Sequence, residues 1–191
     1  ELTFSYNNVT FNIKIRNVLV FPQAYAAVVP QGSRLKEMPQ CYIVDIGGYT
    51  SDILLLQESR PDIDMCRSLE YGVIDMCNEI IGLVNTKHGV QLSEKQIVAA
   101  VQGKENKALS ADIVKMIHSE AQRYIERIIN SLREHKVELK ANPAIFIGGG
   151  SILFRRYIEN SPLIASVDFV PDTRANAVGY SMLAAAKLKS S

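Results

Sequence analysis

Two wholly apolar runs in this chain end in glycine clusters, and that arrangement constrains the fold more than any other feature. Tyr42–Val44 lead into Asp45-Ile46-Gly47-Gly48-Tyr49-Thr50-Ser51, and a second apolar run, Ile53–Leu56, follows at once. Ala144–Ile147 lead into Gly148-Gly149-Gly150-Ser151. Short continuous apolar runs bounded by turn residues are the pattern of strands buried on both faces. Such strands need helices to cover them, so the chain has to alternate strands with amphipathic helices.

It does. Pro22 opens a plausible helix, Gln23–Val29, with proline in its first turn. Apolar residues at 73, 74, 77, 80, 81 and 84 keep helical spacing until Gly89. Ser93 and Gln96 form a capping-box pair for a short helix ending near Val101. The longest stripe, from Ile113 to Leu132, predicts a helix over about 110–135. Ser151 is expected to cap a helix over 152–160, and 175–189 reads as a small-residue helix. Further strands are expected on both sides of an Asn7-Asn8 turn, at Val18–Phe21, at Ile63–Leu69 after a turn at Arg60-Pro61-Asp62, and at Val167–Val170. Gly32–Pro39 reads as a polar loop. The expected fold class is therefore α/β, a mixed sheet flanked by helices, with a small helical insert at 85–116.

Composition supports one large domain or two small ones: 191 residues, 47% of them hydrophobic. With 21 basic against 20 acidic residues, charge gives no argument for nucleic acid or a membrane surface. Cys41, Cys66 and Cys77 have neither disulfide-framework nor metal-site spacing and are expected in or near the core of a protein from a reducing, cytoplasmic compartment. No apolar run approaches a membrane span, nothing resembles a signal peptide, and the missing initiator Met suggests that Glu1 is not a native N-terminus. His88, His118 and His135 read as surface histidines, and Asp62 with Asp64 as a solvated loop.

The chemistry lies in the two turns. Asp45 sits at the carboxyl end of a buried strand, where open α/β sheets place ligands. Gly47 and Gly48 strip a sharp turn of side chains and expose backbone N–H groups, to which Thr50 and Ser51 add hydroxyls, so the turn can wrap a phosphate. A carboxylate beside phosphates makes sense if it holds a metal through water. The plainer reading of the same string is a glycine-rich β-turn with an aspartate cap. The triple glycine lets a flat group approach the backbone, or simply meets a conformational need of the turn. Neither cluster has the spacing of a dinucleotide fingerprint, and there is no P-loop lysine.

Val44–Ile53 (VDIGGYTSDI) resembles the second phosphate motif of the actin, Hsp70 and sugar-kinase superfamily, and Phe146–Ser151 (FIGGGS) its adenosine motif. Residues 20–28 (VFPQAYAAV) and 173–184 (TRANAVGYSMLA) resemble its two interdomain connecting segments. The order of all four matches, and the nearest group is the plasmid-segregation actins of the ParM and StbA type. The resemblance implies a ribonuclease H-like actin-fold ATPase domain. Residues 1–21 would complete a preceding domain I, 22–84 and 117–191 would form the larger part of domain II, and 85–116 its small subdomain. It implies ATP, with GTP as an alternative, and Mg²⁺, bound between two domains, of which this chain supplies the C-terminal half. By resemblance Asp45 orients Mg²⁺ and the attacking water, and Gln23 positions that water. Gly47, Gly48, Tyr49 and Thr50 hold the β- and γ-phosphates, Gly72 lines the pocket, and Gly148, Gly149, Gly150 and Ser151 cover the adenosine. Filament formation and a DNA-bound adaptor protein are the partners it implies. A sugar- or acetate-kinase-type phosphotransferase, and a cell-division or pilus-assembly scaffold, are the alternatives within the superfamily.

Overall fold

The computed structural model describes residues 1–189. Its centre is a five-stranded mixed sheet in the order β5-β4-β3-β6-β7, made of β3 (Gln40–Ile46), β4 (Ser51–Gln57), β5 (Arg60–Leu69), β6 (Ala144–Ile147) and β7 (Val167–Phe169). β3, β4 and β5 form an antiparallel meander, while β6 and β7 lie parallel to β3. The apolar runs noted above are β3, β4 and β6, the three inner strands.

Because side chains alternate across a sheet, each inner strand feeds two cores. Tyr42, Val44, Ile46, Ile53, Leu55, Ala144 and Phe146 face the larger one. It is covered by α3 (Val73–His88), α4 (Glu94–Val101), α5 (Ala111–Glu134) and α7 (Arg155–Glu159). Cys41, Ile43, Leu54, Leu56, Ile145 and Ile147 face the smaller one. It is covered by α1 (Gln23–Val28), α2 (Gly32–Leu35) and the start of α8 (Ala175–Lys189). A short α6 (Gly148–Leu153) connects β6 to α7. Leu92, Ile97, Val101 and Ile113, from the 85–116 region, pack into the larger core with the sheet. The mixed sheet flanked by helices is the architecture expected from sequence.

Local signals explain most boundaries. Gly89 ends α3 in the left-handed conformation at φ +65°. Ser93 and Gln96 form the capping box of α4, and Ser110 accepts from the Ile113 N–H at the start of α5. Asn7 and Asn8, at φ +49° and +61°, turn β1 (Leu2–Tyr6) into β2 (Val9–Ile13). This ribbon stands apart as its own two-stranded sheet, with Leu2, Phe4, Tyr6, Val9, Phe11 and Ile13 exposed. Its register pairs Leu2 with Ile13, Phe4 with Phe11 and Tyr6 with Val9, so one face is apolar throughout.

Five local expectations fail. The turn before β5 is Glu58-Ser59, both at positive φ, two residues ahead of Arg60-Pro61-Asp62. Pro61 is tolerated inside β5 because this is an edge strand, and Asp62 and Asp64 therefore lie on a strand. Val18–Phe21 is not a strand, having no neighbouring strand among the described residues to supply hydrogen bonds. Gly32–Leu35 within the expected loop is a helical turn, fixed by burial of Leu35. Ser151 does not cap a helix: α6 starts three residues earlier, and Ser151 is fully buried within it.

Candidate functional site

Asp45 occupies the face of β3 that looks at α1 and α8, since Tyr42, Val44 and Ile46 take the other. It is only 6% exposed. Its Oδ2 accepts from Gln23 Nε2 on α1 at 3.3 Å and from Asn176 Nδ2 on α8 at 3.1 Å. Burial pushes the Asp45 carboxyl above the ordinary carboxylate pKa; the Asn176 and Gln23 amides oppose that, and the neighbouring Asp52 charge adds to it. Asp52 stands opposite Asp45 on β4 and accepts from the Ser68 hydroxyl.

The Gly47–Thr50 turn is held from behind. Gly47 N–H donates to Thr50 O at 2.8 Å and closes the loop. The first N–H groups of α3 then reach back into it, Val73 to Gly47 O at 3.1 Å and Ile74 to Gly48 O at 2.9 Å. These donors are spent on the turn, so the start of α3 has fewer left for an anion. In exchange the turn's carbonyls point backwards, and the N–H groups of Gly48, Tyr49 and Thr50 have no acceptor among the described residues. Gly72 makes this contact sterically feasible: a Cβ there would lie 2.2 Å from Gly48 O. Its own N–H donates to the Tyr124 hydroxyl at 3.0 Å, and that hydroxyl donates to Gly72 O at 2.9 Å. Burial pushes the Tyr124 phenol up to about 12, so it stays a neutral donor. Ser51 Oγ donates to Tyr71 O at 2.8 Å. The Tyr49 side chain is 69% exposed at the tip.

The three glycines of the second turn have different reasons. Gly148 turns the chain off β6 at φ +84°, and a Cβ there would meet Asp45 Oδ1 at 2.3 Å. At Gly150 a Cβ would lie 2.6 Å from Ile46 Cγ2 and 2.7 Å from Ile46 O, because β3 passes directly behind. At Gly149 it would meet nothing within 4 Å. Gly47, Gly48, Gly149 and Gly150 together line one cleft of about 330 Å³, with Val73, Val98, Gln102 and Leu153 completing its walls. The two glycine turns, distant in sequence, thus face the same space. Ser151 Oγ, beside it, is buried with no hydrogen-bond partner among the described residues.

The family model described as archaeal actin homologue MreB-like, C-terminal, matches residues 43–160. The chain belongs to this family. The match runs from within β3 to the end of α7, so it contains both glycine turns but neither Gln23 nor Asn176. Among solved structures, the chain resembles the archaeal actin homologue Ta0583 at 21% identity and a TM-score of 0.67, covering 94% of this chain and 59% of that one. A non-polymerisable quadruple mutant of pCBH ParM gives 23% identity and a TM-score of 0.67, with 94% and 58% covered. The ADP complex of Ta0583 gives 22% and 0.59, with 86% and 56% covered. No curated protein sequence matches. The fold is that of the actin homologues, and the chain spans under two thirds of the length of these structures.

The structure brings Asp45, Gly148 and Gln23 into one cluster, and Gly47, Gly48, Gly149 and Gly150 around the adjoining cleft. Gly72 stands behind the phosphate-type turn. Sequence reasoning missed Asn176 and Tyr124. Asn176 lies in the segment resembling the second connector, but nothing marks one Asn there as facing a carboxylate 131 positions away. Tyr124 falls in the apolar stripe of α5 and reads as core. His118 is half-buried at the surface, not fully solvated: its Nδ1 lies 2.8 Å from the Tyr157 hydroxyl, with Arg156 beside it. Burial, then the Arg156 charge, lowers its pKa. A hollow of about 630 Å³ lies between the 103–109 loop and the first half of α5 and shares no residue with either glycine turn. Among the described residues no group of three or more His, Cys, Asp or Glu is placed to hold a metal, and no helix is long and apolar enough to cross a membrane.

Proposed function

We propose that this chain is the C-terminal, nucleotide-holding half of an actin-like ATPase that binds Mg-ATP between two domains and assembles into nucleotide-dependent filaments, with plasmid or DNA segregation as its role. The observation that carries the reading is the Gly47–Thr50 turn. The Gly47 and Gly48 carbonyls are drawn back by α3 while three N–H groups are left without acceptors among the described residues, and the turn borders the cleft lined by Gly149 and Gly150. Backbone N–H groups at a glycine turn suit phosphate oxygens, and the open side of Gly149 suits a flat base or ribose. Bound ADP in the archaeal homologue Ta0583 is in keeping with this.

Mg²⁺ fits the donor set in a limited way. Asp45 is the carboxylate in reach of the turn, and Mg²⁺ is commonly held by one or two carboxylates together with substrate phosphates and waters. When bound, the ion would neutralise charge on the phosphates. Asp45 would hold it, with the Gln23 and Asn176 amides on Oδ2 orienting the carboxylate. Gln23 spends its Nε2 on Asp45, leaving the amide oxygen to accept from and orient a water; an amide is no strong base.

The exposed apolar face of the β1–β2 ribbon supports the two-domain part of the reading, because an isolated two-stranded ribbon is marginal in water and this face calls for a cover. The preceding domain I would provide it. Self-association is in keeping with the likeness to ParM, of which a non-polymerisable mutant was solved; the segregation role, through a DNA-bound adaptor, rests on the ParM likeness and the connector motifs. The test is phosphate release and light scattering of the full-length parent with Mg-ATP. Asp45→Ala should cut hydrolysis by about 100-fold or more, with filaments forming and persisting. Wild-type turnover in that variant would sink the catalytic assignment, and absence of any ATP-dependent polymer would sink the filament reading.

A further inference from the structure

We infer that Asn176 is a positioning residue for Asp45, fixing the direction of its carboxylate and tying it to the crossing of α1 and α8. The inference rests on the nucleotide-site reading above.

The geometry begins at one oxygen. Asp45 Oδ2 receives both amides, Gln23 Nε2 from α1 and Asn176 Nδ2 from α8. An ionised carboxylate only accepts, so each amide must turn its nitrogen to it. For Asn176 this leaves Oδ1 buried with no partner among the described residues. A buried acceptor without a donor is unfavourable, so packing alone gives no reason for an amide at this position. Its pairing with Asp45 does. With Oδ2 held, Oδ1 of Asp45 is directed at the Gly148 turn, 2.3 Å from where a Cβ of that glycine would stand.

The second observation concerns the helices. Gly179 of α8 lies so close to α1 that an added Cβ would be 1.6 Å from Ala26 O. Asn176 precedes Gly179 by three residues and Gln23 precedes Ala26 by three, so each amide sits about one helical turn from the crossing point. Sliding or opening α1 against α8 therefore moves two donors on the same oxygen. Among the described residues, Asp52 on the neighbouring strand is the charged group that acts on Asp45, and it opposes ionisation.

The test is a ¹³C NMR titration of the Asp45 carboxyl in this chain, comparing wild type with Asn176→Ala, Asn176→Asp and Val178→Ala. Val178 is an exposed residue of the same helix. Loss of the Asn176 donor should raise the Asp45 pKa, because that hydrogen bond favours the ionised carboxylate. Asn176→Asp keeps the side-chain shape and places a second carboxyl beside the first, which should split the titration into two steps, with the second deprotonation raised. Val178→Ala should leave the titration unchanged. In the full-length parent, Asn176→Ala should lower kcat for ATP hydrolysis about tenfold with KM nearly unchanged, and shift the acid limb of the pH profile in the same direction as the titration. If Asn176→Ala does not fold, the Asn176→Asp titration decides. An Asp45 titration that either variant leaves where it was overturns the inference, as does a shifted titration with unaltered turnover. A wild-type parent that hydrolyses no ATP would defeat the nucleotide reading instead, and the carboxyl titration would still decide whether Asn176 positions Asp45.

Discussion

Gly179→Ala is the sharpest stability test of how α8 sits on α1. The added methyl carbon would stand 1.6 Å from Ala26 O, 2.3 Å from Ala26 C and 3.0 Å from Ala26 Cα. All three are backbone atoms, so no flexible side chain can swing away. The gap to Ala26 O must widen from 1.6 Å to at least the 3.0 Å below which real Cβ contacts essentially never occur, and one helix has to lift off the other. Overpacking of this kind costs about 1–3 kcal/mol, and the absence of a yielding side chain places this case at the upper end. The opposing gain from alanine's helix propensity is at most about 1 kcal/mol. The net expectation is a loss of roughly 2 kcal/mol, or about 4–8 °C in Tm for a chain of this size. Gly82 provides the control: it is exposed within α3, and a Cβ there meets nothing within 4 Å. Gly82→Ala should therefore raise stability by about 0.5–1 kcal/mol. Urea unfolding followed by circular dichroism measures both. A Gly179→Ala midpoint equal to wild type would refute the close backbone crossing, and a Gly82→Ala loss matching that of Gly179→Ala would show that the effect is not steric.

The remaining expectations concern the cleft. Burial raises the Asp45 pKa in the folded state, so the native protein holds this proton more tightly than the unfolded chain, and stability falls as pH rises from the ordinary carboxylate value through the folded one. Asp45→Asn should thus melt above wild type at neutral pH, with the difference vanishing in acid; thermal melts across pH that run parallel would contradict this. Gly149→Ala should fold as well as wild type, because its Cβ meets open space and its φ is not in the left-handed region. A tenfold loss of Mg-ATP affinity by calorimetry in the full-length parent would then be a direct contact effect, and unchanged affinity would remove Gly149 from the site. Gly72→Ala must push the phosphate-type turn away, since its Cβ would lie 2.2 Å from Gly48 O; it should lose both stability in urea and nucleotide binding. Tyr124→Phe strips Gly72 of its buried hydroxyl partner and should cost about 1–3 kcal/mol, with faster hydrogen exchange at Gly72; an unchanged exchange rate there would show the hydroxyl to be dispensable.

The sequence by itself determined the layers and most of the punctuation. Unbroken apolar runs at 42–44, 53–56 and 144–147 are legible as inner strands because burial on both faces demands them. Asn7-Asn8, Gly89 and the Ser93–Gln96 box are legible because backbone conformation and capping act between near neighbours in the chain. The two glycine turns and Asp45 stood out for the same local reason. Tertiary structure decided the rest. The Glu58-Ser59 turn carries no local signal and is set by the pairing of Gln57 with Arg60. Gly149 cannot be told from Gly148 and Gly150 until β3 is seen passing behind two of them. Asn176 and Tyr124 are an ordinary helix residue and an ordinary core aromatic until α8 is laid on α1 and α5 beneath Gly72. Their partners, Asp45 and Gly72, lie 131 and 52 positions away. Hydrogen bonds over such separations are fixed by which face of the sheet each helix covers, a property of the packed chain that no local stretch encodes.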